Sequence, residues 1–184
     1  MFRLPTSIAA VTLLVAVVAA PSEAVEAAPI AETRYGLVGG TVDEGIVQWR
    51  AIPYAAPPVG DLRWRPPSPP EPWNGVRLEA DFAPQCLQLG IEAPVEGSED
   101  CLYLNVFAPA GTAPAADLPV MVHLHGGRNF FGRAYRDASA FVERGVMVVT
   151  VGYRLGVFGF VGHPELSAEN AGSSGEYGVL DQLA

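Results

Sequence analysis

The chain has 184 residues, 49% of them hydrophobic and 9% aromatic, which is enough for one packed domain or a piece of one and too apolar for a disordered chain. Its formal charge is -9 and its 11 basic residues are scattered, so it repels phosphate backbones and nucleic acid is not an expected partner. All 11 are arginine, and without lysine the sequence holds neither a Walker A loop nor a Schiff-base nucleophile.

In chain order the first element is a targeting segment. "MFRLPTSIAAVTLLVAVVAAPSEAVEAA" has one early arginine, an apolar stretch from Ile8 to Ala20 and small residues that suit cleavage after Ala24 or Ala27. Pro21, Ser22 and Glu23 cut the stretch short of the roughly 20 apolar residues a membrane span needs. Residues 1–27 are therefore expected to be a signal peptide and the mature chain to be secreted, with no membrane span left after cleavage.

From Tyr35 to Ile52, "YGLVGGTVDEGIVQWRAI" shows short β-type runs broken by glycine, the pattern of a small meander. "PYAAPPVGDLRWRPPSPPEPW" follows, dense in proline. It could be a linker or a polyproline ligand, but Tyr54, Leu62, Trp64 and Trp73 recur through it and favour a loop packed over a body. In a secreted chain the two cysteines, Cys86 and Cys101, are most simply one disulfide, worth roughly 3 kcal/mol in the chain-entropy model. A metal site would need further Cys or His at ligand spacing, and none stands nearby.

Beyond Cys101 strand and helix signals alternate. "LYLNVF" (102–107), "LPVMVHLH" (118–125) and "VMVVTVGY" (146–153) read as strands, and "DASAFVERG" (137–145) as a short helix closed by a glycine. Strand, helix, strand with an almost wholly apolar last strand points to an α/β fold with a largely parallel sheet. "YGVLDQLA" (177–184) reads as the first turns of a helix.

The stretch "VMVHLHGGRNFFG" (120–132) admits three chemistries. His123 and His125 share a strand face, as metal ligands can, but a third ligand, His163 or a carboxylate, is not signalled by spacing. A phosphate cradle lacks the GxGxxG or GxxxxGK context. Paired glycines at the end of a buried strand instead let backbone N–H groups approach a ligand closely, which suits an oxyanion hole for acyl transfer. A loop of this HGGG type follows the third strand of the α/β-hydrolase sheet.

"IPYAAPPVGDLRW", "SEDCLYLNVFAP", "LPVMVHLHGG", "GYRLGVFGF" and "YGVLDQLA" stand in the order expected of type B carboxylesterases, the secreted α/β hydrolases that include the cholinesterases, and from Tyr35 onward the chain resembles that family. The resemblance implies that residues 28–184 are the N-terminal part of a carboxylesterase type B domain: a small β meander and the first strands of a mostly parallel central sheet, truncated. It implies a serine, an acidic residue and a histidine that together cleave carboxylic esters of small molecules, with no cofactor and no metal. Carried over residue by residue, it assigns oxyanion donors to the N–H groups of Gly127 and Arg128, with Gly126 shaping the turn. It also implies a disulfide between Cys86 and Cys101 and internal ion pairs of Arg63 with Glu99 and Arg154 with Asp181.

Two departures stand out. Arg128 occupies a place where the family usually has glycine or alanine, and Asn129 one where it usually has an aromatic residue. The nucleophile elbow GxSxG occurs nowhere; its nearest likeness, "GSSGE" at 172–176, has Glu176 in place of the last glycine and reads as loop. With no nucleophile to pair with, His125 and His163 read as structural. The expectation is a segment of a secreted serine carboxylic-ester hydrolase that supplies the oxyanion loop, with the triad beyond Ala184 and no activity alone. The alternatives are a non-catalytic binding or adhesion protein of the same fold and, more weakly, a metal-dependent hydrolase. The strand at 146–151 is expected to be left with an unpaired apolar edge. Substrate groups and oligomeric state are not legible in the sequence.

Overall fold

A computed structural model describes residues 29–89, 94–113, 116–170 and 172–184. The expected signal peptide, residues 1–27, lies outside the described residues. Five strands come before the disulfide: β1 (Ile30–Glu32), β2 (Leu37–Gly39), β3 (Thr41–Asp43), β4 (Ile46–Pro53) and β5 (Val76–Leu78). The stretch read as one meander is divided between two sheets. β2 lies between β1 and β5 in a small three-stranded sheet, whereas β3 and β4 form the hairpin that opens the main one. That hairpin turns on Glu44 and Gly45 with φ of 46° and 79°, the positive pair whose twist suits two closely linked antiparallel strands.

The main sheet continues with β6 (Tyr103–Pro109), β7 (Val120–Leu124) and β8 (Met147–Val151) in the order β3-β4-β6-β8-β7. A short helix α1 (Ser139–Val142) crosses from β7 to β8, and these two strands pair in parallel from Val120 opposite Met147 to Leu124 opposite Val151. Among the described residues the other three ladders of this sheet are antiparallel, so here it is mixed rather than largely parallel. The reason is topological: parallel neighbours need a crossover, and only β7 and β8 are both adjacent and joined by one.

The same order corrects the expected open edge. β8 is paired on both sides, by β6 and β7; among the described residues the outer edges that pair with nothing are those of β7 and, at the far end of the sheet, β3. Val120, Val122 and Leu124 are 58%, 58% and 44% exposed.

Two buried clusters hold the layers together. Phe107, Val148, Ala138 and Val142 seat α1 on the sheet, and Ala55, Leu102, Tyr153 and Leu155 pack around the Cys86–Cys101 disulfide. A bulge in β4 between Trp49 and Ile52 puts Ala51 at φ 50°. Its N–H donates to Asn105 Oδ1 at 3.0 Å, and Asn105 Nδ2 donates to Thr150 Oγ1 at 3.0 Å, so one buried amide ties three strands. The proline-rich block packs on the body, as its aromatics predict. Tyr54 OH donates to the Gly152 carbonyl, Trp64 Nε1 to that of Val157 and Trp73 Nε1 to that of Leu37.

Past β8 come three helices, α2 (Gly156–Phe160), α3 (Pro164–Glu169) and α4 (Tyr177–Leu183). The first two carry no periodic signal in the sequence. α2 and α4 close on Arg154 through glycines: a Cβ on Gly159 would stand 2.3 Å from the Arg154 carbonyl oxygen, and one on Gly178 would stand 2.5 Å from it.

Candidate active site

β7 delivers His125 to the edge of the core, where its ring stacks on Tyr153 with centroids 4.2 Å apart. The Tyr153 hydroxyl donates to the His125 carbonyl, fixing the point at which the strand becomes a loop. His125 Nδ1 lies 3.0 Å from the Gly126 carbonyl, which can only accept, so Nδ1 carries the proton. Burial pushes the imidazole below the usual histidine range, opposed by that carbonyl and helped by His123. A neutral ring held in this way is a structural support. His123 is likewise lowered, by burial and then by Arg136, and among the described residues no three His, Cys, Asp or Glu groups stand together at metal-binding distance.

The loop itself is dictated by close backbone approach. Gly127 has φ 132°, and a Cβ there would lie 1.6 Å from the Phe131 carbonyl oxygen, so no other residue fits without moving the chain. Its carbonyl accepts from Phe130 N–H at 3.0 Å. Gly132, at φ 134°, packs under His125, with Nδ1 only 2.1 Å from where a Cβ would be. Gln88 then clamps Gly132 from both sides: Gly132 N–H donates to Gln88 Oε1 at 2.8 Å and Gln88 Nε2 donates to the Gly132 carbonyl at 2.9 Å. On the far side Gly156 N–H donates to the Asn129 carbonyl at 2.7 Å.

Between these anchors Arg128 and Asn129 take φ of 56° and 63°, left-handed values that are unusual for residues with side chains. Among the described residues the N–H groups of Gly127 and Arg128 donate to no acceptor. The loop thus holds two neighbouring backbone donors on a braced and exposed turn.

The structure distributes the other sequence candidates around this loop. Cys86 and Cys101 are bonded and buried, and Gln88 follows two residues after Cys86. Arg154 and Asp181 are 2% and 1% exposed; Nη2 reaches Oδ1 at 2.6 Å, while Nε and the Arg154 N–H reach Oδ2 at 2.8 and 3.0 Å. Arg63 Nη2 meets Glu99 Oε1 at 2.6 Å, but these side chains are 36% and 20% exposed. Ser174 lies in the loop between α3 and α4, where Oγ accepts from His163 N–H at 3.1 Å and contacts Ser167 Oγ at 2.6 Å, so it stands at no strand-to-helix turn. A cavity of about 530 Å³ lies behind His125, between the disulfide and Arg133, and neither Gly127 nor Arg128 lines it. Sequence reading missed the Gln88 clamp and the Tyr153 brace, since both join residues far apart in the chain.

A mixed sheet with a strand, helix, strand crossover, whose edge strand β7 ends in a glycine loop, defines the chain as part of an α/β-hydrolase fold. Solved structures agree: a para-nitrobenzyl esterase superposes with a TM-score of 0.73 at 43% identity over 83% of this chain and 32% of its own. A carboxylesterase from Geobacillus stearothermophilus does so with a TM-score of 0.73 at 42% identity, over 84% and 32%. The carboxylesterase family model matches residues 27–184, and the chain belongs to that family. It is 47% identical over 166 residues to the fumonisin B1 esterase of Sphingopyxis macrogoltabida, covering 84% of this chain and 30% of that protein. It is 43% identical over 165 residues to the para-nitrobenzyl esterase of Bacillus subtilis, covering 84% and 33%. The chain therefore spans about a third of the length of these relatives.

Proposed function

We propose that the chain is the N-terminal third of a secreted serine esterase and that its contribution to catalysis is the oxyanion hole formed by the Gly127 and Arg128 N–H groups. A serine oxygen from the remainder of the protein adds to the ester carbonyl carbon, and the carbonyl oxygen takes up the negative charge. The two N–H groups stabilise that charge while the carbon–oxygen bond to the alcohol breaks and the alcohol leaves with a proton. Water then adds to the acyl-enzyme and releases the carboxylic acid. The relatives' names place them among hydrolases of ester substrates, which supports the same substrate class here. The early arginine and the apolar stretch from Ile8 to Ala20, read as a signal peptide, support secretion, and the lack of GxSxG supports an inactive chain when these residues stand alone.

One observation carries the reading: a glycine forced by a 1.6 Å approach, at a turn whose two N–H groups meet no acceptor among the described residues. In the complete enzyme, Gly127→Ala must push the turn away from Phe131 and displace the donors. The expected result is a fall in kcat of about 10²-fold with KM near wild type and a lowered melting temperature, since one oxyanion donor is worth about 10² to 10³ in kcat and the added Cβ strains the turn. An alanine variant that folds and keeps wild-type kcat on p-nitrophenyl hexanoate would overturn the assignment.

A further inference from the structure

We infer that the Arg128 side chain is a specificity-determining group that selects esters carrying a carboxylate near the scissile carbonyl; this rests on the oxyanion assignment above. The chain is acidic overall, at -9, yet from Leu118 to Arg136 it carries three arginines and no aspartate or glutamate. Among the described residues none of Arg128, Arg133 and Arg136 has a carboxylate within 4 Å, although four other arginines do. Arg133 instead lies over the Tyr135 ring at 5.8 Å. Asp137 stands beside Arg136, its carboxyl lowered by the Ser139 N–H and in part by that charge, so Arg128 and Arg133 are the arginines of this stretch left without a nearby carboxylate among the described residues.

Position 128 is where such a charge acts on substrate. The residue is exposed, and its backbone is pinned on both sides, by the Gly127 carbonyl in the turn and by the Gly156 N–H on Asn129. Its left-handed φ of 56° is one that glycine adopts without strain, so the backbone gains nothing from a long side chain there. If the Arg128 N–H binds the oxyanion, the substrate's acyl and alcohol groups begin within reach of the same residue's guanidinium. A planar fork of donors matches a carboxylate better than a point charge does, and exposure beside the apolar rings of Phe130 and Phe131 suits a substrate with an apolar body and an acidic end.

The test is steady-state hydrolysis by the complete enzyme of two esters of equal chain length, p-nitrophenyl hexanoate and the mono-p-nitrophenyl ester of adipic acid. Wild type is expected to favour the acidic ester in kcat/KM, and the preference to shrink between low and high salt. Arg128→Ala is expected to lower the ratio of kcat/KM for the acidic over the neutral ester roughly tenfold or more, chiefly through KM for the acidic ester, on top of any loss the two esters share through the oxyanion donor. Arg128→Lys, which keeps the charge without the fork, recovers part of the loss. No wild-type preference, or equal losses on both esters in a variant that melts like wild type, overturns the charge inference while leaving the esterase reading intact. Hydrolysis of neither ester by wild type overturns both.

Discussion

At the scale of single residues, Asp181 shows how far this fold commits to one ion pair. Both carboxylate oxygens accept from Arg154, whose Nη1 also donates to the Arg65 carbonyl at 2.8 Å, and water reaches neither partner. A buried charge stripped of its partner is far more costly than the pair is favourable, so Asp181→Ala should destabilise the complete enzyme by about 3 to 5 kcal/mol. Replacing both residues with apolar ones of similar volume, Arg154→Met with Asp181→Leu, should recover much of that. Urea unfolding midpoints of the two variants check the claim, and a single variant as stable as wild type would contradict it. The partly exposed Arg63–Glu99 pair lacks this leverage because water and salt screen it. The two pairs look alike in the sequence, and only burial separates them. At Arg128 the sequence shows a bulky cation at a place that favours glycine, but not that its φ is positive or that the Asn129 carbonyl is anchored, since both depend on residues that arrive from elsewhere.

Among the elements, β7 stands apart. It presents apolar side chains on both faces and an outer edge that pairs with nothing among the described residues. An unpaired, flat, apolar strand invites pairing with another chain. Residues 28–184 expressed alone are therefore expected to self-associate, and Val122→Lys, which places a charge on that strand, to shift the population toward monomer. Size-exclusion chromatography with light scattering reads the difference; a monomeric wild-type fragment would refute it. The strands themselves were legible because alternation and β-branched runs are local signals, as in "VMVHL" and "MVVTV". Their order was not: nothing local to Val146–Val151 says that β6 and β7 flank it, and so the open edge was expected on the wrong strand. The helices α2 and α3 are five and six residues long, too short to show a period, and are held by packing on Arg154 and by the His163 side chain that accepts from Glu165 N–H at 3.3 Å.

For the molecule as a whole, the glycine loop is an assembly of distant parts. Gln88, which fixes Gly132, is itself held by the Cys86 carbonyl at 3.1 Å and by a paired backbone contact with Glu96, all inside the segment that the disulfide closes. In the complete enzyme Gln88→Ala should lower kcat about ten- to a hundredfold with the disulfide intact, because a shift of about 1 Å in a catalytic donor has that cost. Replacing both cysteines by alanine should lower kcat similarly; a kcat on p-nitrophenyl hexanoate that neither variant moves would break the link. The motifs made the family legible from sequence, but this dependence was invisible, since the glutamine and the glycine it holds are 44 residues apart. The disulfide then has a consequence for timing. If the chain is exported as proposed, the closed segment that carries Gln88 would be completed only where thiols oxidise, so a chain still in a reducing cytosol would lack that constraint on its loop.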